Sequence, residues 1–348
     1  MKILFIVNDF NQIGGIEKYN KDFLNALNDA GANVFLVQLR GISLIQKISF
    51  VLKVILKVLQ EKPKIICCSH IAFSPICYFV KIIFRIEYTI ALYGVEAMNI
   101  KNIWEFRSVA AAKIIIAISD YTKDIVLSQF PQIREKIFML PSAVDGNLFY
   151  IKEKSEQLID KYHLKGNRII LTLARLSPTD QKGQDRVLKA LPEVLKEFPE
   201  TKYLIVGPCS DPRVDALLVD DLLKNHTVLV GPAKAEEKVD FYNLADVFVM
   251  PSKIEGFGIV FIESLACGVP VIASNDYGCP QGLLNGELGL LVNPDDPKDI
   301  ARAIIRILKG EVSKDLLNKQ RLRQKCLEIY SIESYNKRVK NLYDNFLK

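Results

Sequence analysis

Two carboxylates, Glu255 and Glu263, stand on either side of the glycine loop Gly256-Phe257-Gly258, with seven residues between them. Gly256 and Gly258 lack the side chains that would keep a ligand off the backbone. A helix opening at Ile259 and Val260 presents N–H groups without intrahelical partners, backed by the positive end of the helix dipole. One carboxylate beside such an anion site and another within the helix can each hold hydroxyl groups, which is the layout of a sugar–diphosphate–ribose. An ordinary strand–turn–helix connection with two stray glutamates fits the same residues. Cations stand in a second stretch, Arg175 and Lys182-Gly183, in a loop that also holds Pro178 and Asp180. Arginine forks onto two phosphate oxygens, while lysine supplies a compact charge. A glycine pair, Gly14-Gly15, precedes Glu17 and reads either as a phosphate cradle or as a plain loop. It is not the Gly-x-Gly-x-x-Gly fingerprint, and no Walker sequence occurs.

Strands and helices alternate around these residues. Residues 2–7 read as a strand, Glu17 to Ala30 as a helix and Val34 to Leu39 as a second strand. Strands at Lys64 to Cys68 and Tyr88 to Leu92 lead to His70 and Tyr93. A strand at Lys113 to Ser119 leads to an N-cap signal at Ser119-Asp120. The second half repeats the alternation with strands at Arg168 to Ala174, Tyr203 to Val206, Val228 to Val230, Val247 to Met250 and Val269 to Ala273. Alternation of this kind predicts parallel, doubly wound α/β sheets with functional loops at the carboxyl ends of the strands. The expected division is a first domain over 1–145, a linker over 146–165, a second domain over 166–330 and a terminal helix over 331–348.

The stretch from Pro251 to Pro270 resembles the Glu-x7-Glu donor motif of retaining, family-four glycosyltransferases of the GT-B type. The likeness extends through Ala174-Arg175-Leu176, Lys182-Gly183 and the run Ala245 to Ser252. It covers most of the chain, strongly in the second half and weakly in the first. It implies two Rossmann-like doubly wound domains facing each other across a cleft, with the last helix crossing back to the first domain. Arg175, Lys182 and Glu255 would be the catalytic residues, the two cations holding the leaving diphosphate and Glu255 the transferred sugar. Glu263 would bind the ribose, and Gly256, Phe257, Gly258, Ile259 and Val260 would line sugar and phosphate. Pro232, Lys234 and Ala235 would flank the base, Gly14 and Gly15 would approach the donor from the first domain, and Tyr93, His70 and Glu17 would lie on the acceptor side. Many relatives carry His-Gly where this chain has Tyr93-Gly94, and tyrosine is a poor base near neutral pH. His70, on a neighbouring strand end, is a candidate to compensate. Gln281 stands where many relatives carry glutamate. The implied reaction moves a hexose, with UDP-glucose the leading donor, to a glycan or lipid-linked glycan. It needs neither metal nor cofactor, since no Asp-x-Asp motif occurs. A catalytically weak donor-binding or scaffold subunit is the alternative, supported by Tyr93.

Composition sets the remaining bounds. The chain has 348 residues, about half of them hydrophobic and a quarter charged, as in ordinary soluble enzymes. Seven unpatterned cysteines and three histidines argue against a disulfide framework or a histidine metal centre. The N-terminal apolar run is too short for a signal peptide, and a cytoplasmic location is expected. No basic-aromatic pattern points to nucleic acid. The net charge of +6 is concentrated between residues 41 and 85, where seven cations face the single carboxylate Glu61. In that stretch Leu44, Ile45, Ile48, Val51, Leu52, Ile55, Leu56 and Leu59 recur at helical spacing and predict a core face. Lys47, Lys53 and Lys57 fall opposite, with Phe50 and Val54 among them. That face suits either a helix resting on the anionic inner face of a membrane or a solvated outer surface.

Overall fold

The computed structural model describes residues 1–10, 14–98, 100, 102–177, 179, 181–208 and 211–348. Pro178 and Asp180, expected in the loop after the first strand of the second half, lie outside them. The chain divides into two compact units, Met1–Ala143 with Ile332–Lys348, and Val144–Ser331.

The first unit carries strands β1 (Lys2–Asn8), β2 (Asn33–Leu39), β3 (Ile65–Cys68), β4 (Glu87–Leu92), β5 (Ile114–Ala117) and β6 (Ile137–Met139). They form one parallel sheet in the order β2-β1-β3-β4-β5-β6. The linking helices are α1 (Gly15–Asp29), α2 (Leu44–Glu61), α3 (Ser74–Phe84), α4 (Ile103–Ala111) and α5 (Asp120–Gln129). Short apolar runs such as Ile65–Cys68 and Ile114–Ala117 are buried along their whole length. Parallel strands covered on both faces require such runs. The terminal helix Ile332–Leu342 belongs to this unit: Tyr335 meets the Tyr19 ring edge-on at 5.9 Å, and Tyr343 Oη donates to Gly31 O at 3.3 Å.

The second unit carries β7 (Arg168–Leu173), β8 (Thr201–Val206), β9 (Thr227–Gly231), β10 (Val247–Met250), β11 (Val271–Ser274) and β12 (Gly289–Val292). Its parallel sheet has the order β12-β11-β10-β7-β8-β9. Chain order runs one way from β7 and the other way from β10, so strand order reverses between these two parallel neighbours. Open α/β sheets bind ligands at such a switch point. The expected α/β class of two Rossmann-like units is what the chain adopts.

Two expectations are corrected. Residues 146–165 are not a free linker but part of the second unit. Phe149 is buried against Tyr242, Lys152 N donates to Asn243 Oδ1 at 2.9 Å, and Lys154 Nζ pairs with Asp246 at 2.9 Å. A buried aromatic anchor and paired cations outweigh the weak periodicity of this stretch. The second correction concerns α2, whose orientation is the reverse of the expected one. Phe50, Val54 and Val58 face the sheet and are buried, whereas Leu44, Ile45, Ile48, Leu52, Leu56 and Leu59 are exposed. Phe50 packs on the Phe73 ring at 5.0 Å. Both faces of this helix are apolar, so periodicity has no polar face to orient it.

Candidate active site

Three loops in the second unit follow adjacent strands, β7, β10 and β11. The loop after β7 ends at Gly183, whose φ of 91° is left-handed, and α6 (Gln184–Glu197) begins there. A Cβ on Gly183 would lie 2.5 Å from Pro251 O in the loop after β10. Only glycine permits this approach. Two further bonds tie the loops, Lys253 N to Gln181 O at 3.0 Å and Ser252 Oγ to Gln181 O at 3.3 Å. The result brings Lys182 to Glu255: Nζ donates to Oε2 at 2.8 Å, with both side chains half-buried. The pair therefore sits at the switch point between β7 and β10. Arg175 is at the start of the same loop and is exposed.

The loop after β10 turns at Gly258, whose φ of 89° is again left-handed, into α7 (Ile259–Ala266). A Cβ there would lie 2.2 Å from the Phe261 ring. Phe261 N makes the first bond within the helix, to Gly258 O at 3.0 Å. The amides of Ile259 and Val260 precede it and open the helix. Phe257 is buried against the Tyr330 ring at 5.4 Å, so its backbone rather than its ring faces any ligand. Beneath this loop Gly278 N donates to Glu255 O at 2.9 Å, and a Cβ on Gly278 would lie 2.0 Å from Gly256 O.

Glu263 lies in α7 and is 3% exposed. Its Oε2 accepts from Tyr242 Oη at 2.8 Å, and Lys238 Nζ lies 3.9 Å away. Burial, then the charge of Glu263, pushes the Tyr242 phenol well above its ordinary pKa, so it stays protonated and donates. Pro232, Lys234 and Ala235 are exposed in the turn after β9, where Lys234 N donates to Glu237 Oε2 at 2.8 Å. The structure thus gathers Arg175, Lys182, Glu255, Gly256 to Val260 and Glu263 on neighbouring loops of one unit. Burial holds the Cys267 thiol at about 12, so no thiolate stands beside Glu263. Among the described residues no cluster of three histidine, cysteine or acidic side chains is placed to hold a metal.

The remaining expected residues belong to the first unit. Gly14 caps α1, and the Glu17 carboxylate folds so closely over it that a Cβ would lie 2.4 Å from Oε2. Gly14 and Gly15 follow β1, and His70 follows β3, its neighbour across that sheet's own reversal of strand order. His70 Nδ1 accepts from Ala72 N at 3.1 Å, so Nε2 carries the proton of the neutral ring. Tyr93 differs from expectation. It is buried, its Oη donates to Asn20 Oδ1 at 2.8 Å, and its ring meets Tyr19 edge-on at 5.3 Å. Burial raises its pKa well above that of a free phenol. Tyr93 is a core hydrogen bonder and not a residue held out to an acceptor.

Sequence reasoning missed Tyr242, which precedes Glu263 by 21 positions on another helix; no spacing rule links the two. It also missed the close approach of Gly278, although the glycine itself marks a loop. Tyr242→Phe removes the bond to a buried carboxylate and is expected to cost about 2 kcal/mol of stability. If Glu263 holds the donor, KM for donor rises about tenfold while kcat changes less. An unchanged KM in steady-state kinetics rejects this positioning role.

Residues 154–325 match the family model described as glycosyl transferases group 1. The second unit is a glycosyl transferases group 1 domain. This glycosyltransferase domain contains every residue of the three converging loops. Over 204 residues the chain is 33% identical to a GDP-mannose-dependent alpha-(1-6)-phosphatidylinositol monomannoside mannosyltransferase of Mycolicibacterium smegmatis, covering 56% of this chain and 52% of that protein. The chain thus spans about half the length of the mannosyltransferase relatives it matches. The capsular polysaccharide biosynthesis glycosyltransferase CapM of Staphylococcus aureus is 26% identical over 89% of this chain and 84% of its own. Anabaena HepE, solved with UDP and glucose, superposes with a TM-score of 0.77 at 18% identity over 98% of each chain. At that identity the likeness is one of fold, the GT-B glycosyltransferase type with two parallel six-stranded sheets.

Proposed function

We propose that the chain is a retaining glycosyltransferase that moves a hexose from a nucleotide diphosphate sugar, with UDP-glucose the first choice of donor, to a glycan or lipid-linked glycan. The observation that carries this reading is the Lys182–Glu255 pair at the switch point, beside the opening of α7. Anion, sugar and ribose can each find a partner there, because Lys182, the Ile259 and Val260 amides, Glu255 and Glu263 follow one another along two loops. Arg175 and Lys182 would neutralise the departing diphosphate, with charge supplied by side chains and amides rather than by a metal. Glu255 would hold the sugar hydroxyls, and Glu263, oriented by Tyr242, the ribose. The bond from sugar C1 to phosphate oxygen breaks as the acceptor oxygen bonds to C1 on the same face. The acceptor proton passes to a phosphate oxygen. No carboxylate serves as nucleophile in this scheme.

A GDP-mannose donor is a second reading, favoured by the mannosyltransferase relatives. The catalytically weak donor-binding subunit remains the alternative that the buried Tyr93 favours. A thermal-shift series with UDP-, GDP- and ADP-sugars separates the donors, because a ligand that binds only the native state raises Tm. UDP-glucose is expected to raise it most; a larger rise with GDP-mannose moves the assignment to that donor. Release of nucleoside diphosphate with candidate acceptors, and an axial-to-axial or equatorial-to-equatorial anomeric outcome by NMR, test transfer and retention. Tight binding with no turnover on any acceptor favours the weak-subunit reading.

A further inference from the structure

The outer face of α2 carries an apolar stripe that no described residue covers. At 100° per residue, Ile45, Ile48, Leu52, Leu56 and Leu59 fall within an arc of about 80°. Their exposures are 80%, 51%, 55%, 53% and 53%. Soluble monomers rarely leave contiguous apolar patches larger than a few hundred Å². The neighbouring helix extends the surface. The crossovers from β2 to β3 and from β3 to β4 run in the same direction across the sheet, so α2 and α3 cover the same side of it. On α3, Phe79, Ile82 and Ile83 are exposed, and Phe79 stacks on Trp104 of α4 at 5.2 Å.

Charge borders the stripe on one flank. Lys53 and Lys57, with Arg40 at the end of β2, line a groove of about 430 Å³ between β2 and α2, whose wall also includes Leu56. Glu61 is the single carboxylate of α2, and it is paired with Lys2 at 3.3 Å and Lys57 at 3.4 Å on the sheet side. The outward arc therefore has apolar residues at its centre, cations at its edge and no acid.

We propose that this face of α2 and α3 docks on an anionic lipid surface, with the stripe in the acyl–headgroup boundary and the Arg40, Lys53 and Lys57 groove over lipid phosphates. A helix that is apolar on one face and cationic at its edge lies in the plane of such an interface. No described helix is long and apolar enough to cross a membrane, which fits lying in the plane. A second copy of this chain is the poorer occupant, because a symmetric contact through α2 would pair like-charged edges. The proposal differs from a purely electrostatic attachment through the lysine face: here the leucines and isoleucines carry the binding. It stands independently of the transfer reaction.

Flotation of the full chain tests it, using vesicles of phosphatidylcholine alone and of phosphatidylcholine mixed with phosphatidylglycerol. The chain is expected to float with the mixed vesicles and to lose at least tenfold in partitioning with Leu52→Gln plus Leu56→Gln. Lys53→Gln plus Lys57→Gln is expected to weaken binding at low salt and flatten its salt dependence. These side chains are exposed or half-buried, so circular dichroism and Tm should match the parent and separate lost docking from lost fold. Absence of flotation with either vesicle, equal recovery on both, or unchanged binding by the leucine variant each overturns the proposal. So does a dimer in light scattering that the leucine variant dissociates while vesicles bind neither protein.

Discussion

Lys182→Ala is expected to lower kcat by about a hundredfold to a thousandfold, the loss typical when one preorganised donor to developing charge is removed. The ground for so large an effect is geometric. Lys182 is held 2.8 Å from Glu255 by a loop pinned through Gln181 O to Lys253 N and Ser252 Oγ. In the proposed reaction its ammonium would be in place before the donor arrives and would need little reorganisation as the diphosphate leaves. The substitution also strips a half-buried carboxylate of its ion pair, so Glu255 would lose the fixed position that the proposed sugar contact needs. Both changes act on the transition state, and kcat and kcat/KM should fall together. Arg175→Ala, at the exposed start of the same loop, should act in the same direction. Steady-state release of nucleoside diphosphate measures both variants. A kcat within threefold of the parent for Lys182→Ala removes this residue from the leaving-group role.

Gly278→Ala is expected to reduce turnover by about a hundredfold through one added methyl group. Gly278 has φ −83°, an angle open to any residue, so the backbone is not strained by the change itself. The obstacle is the 2.0 Å between the added Cβ and Gly256 O. One backbone must retreat by about 1 Å, a misplacement that can cost a hundredfold in an oriented site. The same retreat stretches the bond from Gly278 N to Glu255 O, now 2.9 Å, and moves the loop that opens α7. Overpacking of this kind costs about 2 kcal/mol of stability. Thermal denaturation and kinetics on the same preparation separate the two effects. A variant with parental kcat and lowered Tm leaves Gly278 a packing role alone.

Much of the arrangement around Glu255 and Glu263 was legible in the sequence. Glu255, Gly256, Gly258 and Glu263 lie within nine consecutive residues, so a single strand–loop–helix unit holds their relative positions. Local chemistry sufficed there: a glycine at positive φ, a short helix, and a carboxylate on each side of its start. The buried strands were equally plain, because Ile114–Ala117 and Val247–Met250 are apolar at every position and bounded by turn residues. Tyr93 was legible only as a strand-end residue. Its partner, Asn20, is 73 positions away on α1, and burial of both decided that its hydroxyl is spent inside the unit.

The amino-acid sequence by itself determined the α/β class, the alternation of strands and helices, and the local geometry of the Glu255–Glu263 loop. These depend on side-chain period and on glycine, whose effects reach only a few residues. The tertiary structure alone decided three further matters. Adjacent placement of β7 and β10 made an ion pair of Lys182 and Glu255 from loops 73 residues apart. Tyr242 became the orienting partner of Glu263 because a neighbouring helix packs beside α7. On α2, the sheet took Phe50, Val54 and Val58 and left the longer leucine and isoleucine stripe outside. Periodicity shows that a helix has apolar faces, but which one is buried depends on the surface it meets, and that surface is assembled from residues remote in the chain.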